Sequence, residues 1–523
     1  MNLKKTYLYA FYIFLAICLL SGSLLIGGCG SGADNKHDST SYTLTGNIVA
    51  DGKNLVQINC GRCHAMVPVN YLNKNVWKYH SLPAMAKYFK ITSYLGGYYK
   101  SEKDSGGMAL NAWLSIVAYY EKMAPDTILS PAKPSPLVED WAGFKLKTPP
   151  PSKRTSFTTL AAVDTSTDKI YTSDRVSNIL TEWDKNFKSS TVTKLPSTAV
   201  DAVFKKNTNG GSDAILTCIG VLERYDFPNG RVLQVGLDAK TDTAKAALIA
   251  SDIERPVQTI EGDFNHNGLT DLVVLGQGGL KGGIYLYSRA ADHSYTQTTI
   301  SNKPGAVQAI AGDFNKDGWT DLMVLFGSVD EGLWLFENEH KGGFKPRILL
   351  RFPPVYGSSS FQLVDIDHDG NPDLIYTAGY NYHDSRILKP YHGLYIFKNT
   401  GNWNFKQQWF YPIDGCTKAI AADFKGNGRL DIVTSAFFAD LKNDPAEEVI
   451  YFEQLSPFNF KAHAIPVSKY GRWMTMQVAD YNHDGKPDIV LGNYSEGFAF
   501  QHDFKPFWET NIRFIVLENA NKK

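Results

Sequence analysis

Two residue clusters in this chain have the types and spacing for chemistry. The first is Cys60-Gly61-Arg62-Cys63-His64. Two thiols three positions apart, followed at once by an imidazole, form the C-x-x-C-H arrangement of covalent c-type haem attachment. The thiols can add to the two vinyl groups on one porphyrin edge, and His64 then reaches the iron as proximal ligand. A thioredoxin-like redox pair has no need of the histidine, and a zinc site needs a second Cys/His pair that the sequence lacks.

The second cluster is a nine-residue phrase repeated five times, starting at 263, 313, 365, 423 and 480, so that successive starts lie 50, 52, 58 and 57 residues apart. Its oxygen-bearing side chains at positions 1, 3, 5 and 9 are Asp263, Asn265, Asn267 and Asp271; Asp313, Asn315, Asp317 and Asp321; Asp365, Asp367, Asp369 and Asp373; Asp423, Asn427 and Asp431; Asp480, Asn482, Asp484 and Asp488. Such hard ligands, converging around a glycine at position 6, suit Ca²⁺ better than a transition metal. An EF-hand is excluded, because position 12 holds Val274, Val324, Tyr376, Thr434 or Leu491 in place of Glu. Asp, Asn and Gly also make ordinary turns, but five copies in register favour the cation. The loop at Asp365 carries four carboxylates and is expected to bind most tightly. In the loop at Asp423, Lys425 stands at position 3, so that loop is expected to be empty or to use the lysine as a substitute cation.

These residues need elements to hold them. A helix over 51–59 can run into the haem motif. Across 111–125, Trp113, Ile116, Val117, Tyr120 and Met123 mark one face of a second helix, which Pro125 follows. Two helices flanking the C-x-x-C-H loop resemble a small class I cytochrome c spanning 43–128. That resemblance implies a distal methionine, and Met85, in Trp77-x7-Met85 after Leu82-Pro83, is the expected ligand, with Met108 the alternative. Met66 lies too close to His64 to cross the ring. A thioether opposite a histidine favours electron transfer over oxygen chemistry.

Around each acidic phrase sit an apolar strand before, another after, and a third aromatic-rich strand such as Leu333 to Phe336. Several strands per unit of this length indicate propeller blades. Weaker copies at 164–168 and 205–213 bring the total to seven, about 53 residues each over 156–523. The phrase resembles the FG-GAP or VCBS repeat of integrin α-subunit propellers, which implies calcium-stabilised blades. The expected fold is therefore multidomain, a small all-α domain followed by an all-β propeller of seven blades. Residues 129–155, rich in proline, read as a linker.

The N-terminus reads as an export signal, with Lys4 and Lys5, an apolar stretch from Tyr7 to Leu20, and small residues before Cys29. Leu25-Ile26-Gly27-Gly28-Cys29 resembles a bacterial lipobox, which implies removal of 1–28, acylation of Cys29 and a flexible tether over 29–42. Of six cysteines, Cys218 and Cys416 are left as buried free thiols. With 53 basic and 53 acidic side chains, nothing in the overall charge draws the chain to nucleic acid.

The combination implies an exported electron-transfer protein, lipid-anchored in the cell envelope. It carries one haem c and about four or five Ca²⁺, and its partners are the bilayer and an unknown redox protein. No Ser/His/Asp arrangement or phosphate loop is visible, and no catalytic residue is assigned. Two alternatives stay open. One is a haem-dependent periplasmic oxidoreductase with substrate in the propeller's central opening, near Arg255, Gly305, Ser358, Thr417, Arg472 and Trp473. The other is a surface adhesion or interaction protein.

Overall fold

Asn47 starts the first helix, its side chain accepting the Ala50 N–H at 3.1 Å as an N-cap does. This helix, α1 (Ile48–Asn59), runs directly into a short 3₁₀ turn, Cys60–Arg62. The computed structural model describes residues 42–95, 97–101, 107–207, 211–223, 225–238, 246–340, 342–381, 387–495 and 505–521. Cys29 and the signal segment lie outside them. The chain divides into units 1–45 and 46–523; of the first, only 42–45 are described, without helix or strand.

α1 packs on α2 (Leu110–Met123). Gly52 permits the crossing, since a Cβ there would meet Ser115 O at 2.0 Å. Trp113, Ile116, Val117 and Tyr120 are buried as the periodicity predicts, but Met123 is 52% exposed. Between the helices lies an irregular helical run over 74–86, including a π-helical turn Trp77–Ser81. The region is not all-α, because β1 (Ile91–Tyr94) and β2 (Tyr98–Ser101) form an antiparallel hairpin.

Seven further sheets form the blades of a seven-bladed β-propeller. Their own strands span 158–194, 199–253, 256–301, 306–351, 358–412, 418–464 and 473–519, here blades 1 to 7. Even the degenerate first copy makes a full blade, its Asp164 carboxylate accepting from the Ser166 and Thr167 hydroxyls in a tight turn. Glutamines on the inner strands stitch neighbours together. Gln258 accepts the Ala309 N–H at 2.7 Å, Gln308 that of Phe361 at 3.1 Å, Gln362 that of Ala421 at 2.7 Å, and Gln477 that of Val163 at 2.6 Å. The last of these joins blade 7 to blade 1.

The proline-rich stretch 129–155 is more than a spacer. Its β3 (Leu137–Glu139) pairs in parallel with the outer strand of blade 6. Its β4 (Phe144–Lys147) is the fourth strand of blade 7, antiparallel to Phe514–Asn519. Chain from before blade 1 thus completes the last blade and closes the ring, so the propeller begins near 137. Cys218 and Cys416 are buried free thiols on blade 2 and in the loop before blade 6, held above the usual thiol range by burial. Among the described residues, no helix is long and apolar enough to cross a membrane.

Phe144 is 3% exposed and packs edge-on against Phe424 and Tyr451 of blade 6. Phe144→Ala should cost about 3–5 kcal/mol in denaturant unfolding. A spacer residue would leave the midpoint unmoved.

Candidate metal centres

The 3₁₀ turn after α1 places Cys60 half-buried and Cys63 exposed, and neither is in a disulfide. Burial, with the neighbouring Cys63 charge adding to it, pushes the Cys60 thiol up to about 11. His64 Nδ1 lies 2.8 Å from the Ala65 carbonyl, which can only accept. The Nδ1 therefore carries the proton and Nε2 keeps its lone pair, the tautomer an iron ligand needs.

Two buried donors in the same small domain have no acceptor among the described residues: the Tyr99 hydroxyl and the Trp113 indole N–H, whose rings meet edge-to-face at 5.6 Å. Burial pushes the Tyr99 hydroxyl up to about 12, so it remains a donor at neutral pH. Orphaned donors beside an apolar core suit a group that brings its own carboxylates, as haem does with its propionates. Met85 is half-buried on the short helix Leu82–Ala86, and Met108 is half-buried with its N–H bonded to Phe89 O at 3.1 Å. Met66 folds back over the motif, its Cγ 3.5 Å from where a Gly61 Cβ would stand.

The C-x-x-C-H turn rests on the propeller. Arg351 of blade 4 donates to the Cys63 carbonyl at 3.1 Å and is ion-paired through Nε with Asp330 at 2.6 Å. Tyr71 stacks against Tyr391 and Tyr356 of the blade 5 region, centroids 4.7 and 6.1 Å away, and its carbonyl accepts the Tyr391 hydroxyl at 3.2 Å. Nothing in the local sequence announces this junction. Below it Glu331 is fully buried, accepting from Ser358 Oγ at 2.6 Å and Ser358 N at 2.8 Å.

In each acidic loop, both oxygens of the first aspartate accept backbone N–H groups from positions 5 and 6, as with Asp313 from Asp317 at 3.1 Å and Gly318 at 2.9 Å. Glycine at position 6 takes positive φ throughout, at Gly268, Gly318, Gly370, Gly428 and Gly485. Position 4 does so too, at His266, Lys316, His368 and His483, which sequence reasoning missed. The position 9 aspartates are 0–2% exposed and tie the loop to the third strand of the blade. Asp321, for example, accepts from Phe314 N at 3.0 Å and Asn338 N at 2.7 Å.

Counting carboxylate, imidazole and thiol atoms of the described residues, only Asp365, Asp367 and Asp373 bring three within 4.8 Å of one another. Asp367 Oδ1 there is buried without a hydrogen-bond partner, a donor set that fits a cation. The Lys398 ammonium contributes positive charge from the neighbouring strand, bonding Asp367 and, at 3.0 Å, Asp369. Lys425 pairs with Glu453 at 2.5 Å, and its ammonium also favours the charged form of Asp431 in its own loop.

Residues 263–324 and 313–376 match the FG-GAP-like repeat, and 473–503 match the FG-GAP repeat. The chain carries FG-GAP repeats. No curated protein matches it. Among solved structures, the chain is similar to the WD40 β-propeller domain of Doa1 at 10% identity, with 71% of this chain and 97% of that one covered and a TM-score of 0.42. It is also similar to virginiamycin B lyase from Staphylococcus aureus at 12% identity, covering 72% and 99%, TM-score 0.45. A third is BBS1N in complex with ARL6DN, at 8% identity, covering 72% and 97%, TM-score 0.43.

Among the described residues, loops reach across the end of the propeller where its inner strands begin. Tyr225, in a loop of blade 2, hydrogen-bonds Tyr380 of blade 5, three blades farther round, and Asp226 accepts three backbone N–H groups from Gly279, Leu280 and Lys281. Residues expected to line that opening are committed to packing. Ser358 and Trp473 are 1% and 0% exposed, Arg472 bonds the Phe437 carbonyl at 3.0 Å, and Arg255 lies over the Tyr225 ring at 4.1 Å.

Burial pushes Glu331 up to about 7 from a carboxyl's ordinary 4.5. Between those values the folded protein holds a proton that the unfolded chain has released, so stability falls as pH rises through that window. Glu331→Gln should flatten this slope in denaturant unfolding between pH 5 and pH 7.5. An unchanged slope would place the titration elsewhere.

Proposed function

We propose that this FG-GAP propeller protein is an exported, lipid-anchored c-type cytochrome that transfers electrons through one haem, with the propeller as a docking or ligand-binding scaffold. The observation that carries this reading is the Cys60-x-x-Cys63-His64 turn, with both thiols free and His64 in the tautomer that leaves Nε2 bare. Cys60 and Cys63 would hold the haem, His64 and Met85 would ligate its iron with Met108 the alternative, and Tyr99 and Trp113 would offer buried donors to its carboxylates. Such a group, when bound, supplies one-electron chemistry. The chain's own residues hold the turn against blade 4 through Arg351 and fix the imidazole through Ala65. The reading also takes Cys29 as the acylated residue and an unknown redox protein as partner.

The acidic loops are read as Ca²⁺ sites, led by the one at Asp365, with the unpartnered Asp367 oxygen as support. An enzyme acting in the central opening is disfavoured by the loop that bridges blades 2 and 5. An interaction role for the scaffold is compatible with the FG-GAP repeats.

Expression in a host that matures c-type cytochromes should yield covalent haem with a low-spin spectrum, and Cys60→Ser with Cys63→Ser should abolish it. Met85→Ala should lower the reduction potential and open the iron to carbon monoxide; an unchanged potential shifts the ligand to Met108. A protein that takes up no haem would sink the electron-transfer reading.

Adding Ca²⁺ to chelator-treated protein should raise the melting temperature, and Asp367→Ala should remove the tightest of the binding events seen by calorimetry. Identical melting with and without Ca²⁺ would refute the cation reading.

A further inference from the structure

A cavity of about 160 Å³ opens between the 130–133 segment and blades 5 and 6. In its wall His392 is 1% exposed, and neither ring nitrogen has a hydrogen-bond partner among the described residues. Burial, aided by the nearby Lys389 ammonium, holds its imidazole well below its ordinary range, so it is neutral and presents one bare lone pair and one N–H. A buried imidazole with both nitrogens unmatched is costly unless something else reaches it.

Facing it across the cavity are Asp414, Asp444 and Glu447. Lys133 is spent on two of these, at 2.5 Å from Glu447 and 3.4 Å from Asp444. The Lys389 ammonium also favours the charged form of Glu331. The carboxyl of Asp414 receives no hydrogen bond from the described residues, and burial together with repulsion from Glu447 and Asp440 pushes it up to about 7. The local charges are therefore Lys133 and Lys389 against Glu331, Asp414, Asp440, Asp444 and Glu447, a surplus of acid. An anion would be repelled, and the two uncommitted groups, His392 and Asp414, both offer acceptors.

The acceptors do not converge as a metal site does. Three ligating atoms within 4.8 Å of one another occur only in the Asp365 loop among the described residues. Groups spread round a cavity of this size suit instead a molecule of about four to eight non-hydrogen atoms, since a cavity of roughly 150 Å³ admits benzene. We propose that this cavity is a binding site for a small organic ammonium ion, its N–H donors meeting Asp414 and His392 and its carbon skeleton lying against Pro131, Pro390 and Pro412.

The test is calorimetric titration of the full protein, loaded with Ca²⁺, using ethanolamine, ethylene glycol and glycolate as matched cationic, neutral and anionic probes. Ethanolamine should bind saturably and at least tenfold more tightly than ethylene glycol, and glycolate should not bind. Asp414→Asn and His392→Leu should each weaken ethanolamine at least tenfold while leaving the circular dichroism spectrum and the Ca²⁺ response unchanged. His392→Leu should also melt no lower than the parent, because it removes an unmatched polar group; should it unfold, Asp414→Asn decides alone. Absence of saturable binding would mean a water-filled cavity and overturns the proposal. So do equal affinity for ethylene glycol, a preference for glycolate, binding untouched by Asp414→Asn, and Mg²⁺ binding that Asp414→Asn abolishes.

Discussion

Each strong blade depends on one buried carboxylate. The position 9 aspartate sits at the start of the second strand, reaches back to an N–H of its own loop and forward to an N–H at the end of the third strand, and is almost wholly withdrawn from water. A buried charge is costly unless hydrogen bonds replace its hydration. Here they do, with Asp271, Asp321, Asp373 and Asp488 each receiving two backbone donors. Desolvation still raises all four above the ordinary carboxylate range. The loop is therefore shaped by its own backbone, whose N–H groups hold the first and ninth aspartates in place.

That arrangement explains what was legible in the sequence. A local motif with a local cause, such as Asp at 1 and 9 with Gly at 6, repeats wherever the turn repeats, so blade number and boundaries could be read from its period. β3 and β4 could not, because the strands they pair with lie more than 300 residues later and a three- or four-residue strand among prolines has no periodicity of its own. The hairpin Ile91–Tyr94 and Tyr98–Ser101 was hidden for a similar reason, being too short to show alternation between two helical patterns. In the haem motif the residue types were plain. The Ala65 carbonyl that sets the His64 tautomer and the orphaned Tyr99 and Trp113 donors emerged only in three dimensions.

The junction between the small domain and the propeller follows the same division. Tyr71 stacks on Tyr391, which stacks in turn on Tyr356 from the segment before blade 5, and these lead by contact to Tyr395 and on to Phe410 and Tyr376. Stacked rings bury large area in a fixed geometry, and the Arg351 bond to the Cys63 carbonyl adds a directional constraint at the other edge. The C-x-x-C-H turn is thus held against blades 4 and 5 rather than swinging on a tether, which gives the propeller a mechanical role in positioning whatever the turn carries.

The unequal blades separate folding from ion binding. Blade 1 makes its turn with the Ser166 and Thr167 hydroxyls on Asp164, and blade 2 places Asn207 and Gln234 on Asp213. Blade 6 sends Lys425 to Glu453. All three form complete sheets without a full oxygen set. Cations are therefore not needed to specify a blade. The complete oxygen sets lie in blades 3, 4, 5 and 7, and blades 4 and 5 are those against which the C-x-x-C-H turn rests. Blades 1, 2 and 6 complete their turns with hydrogen bonds and an ion pair from the chain itself.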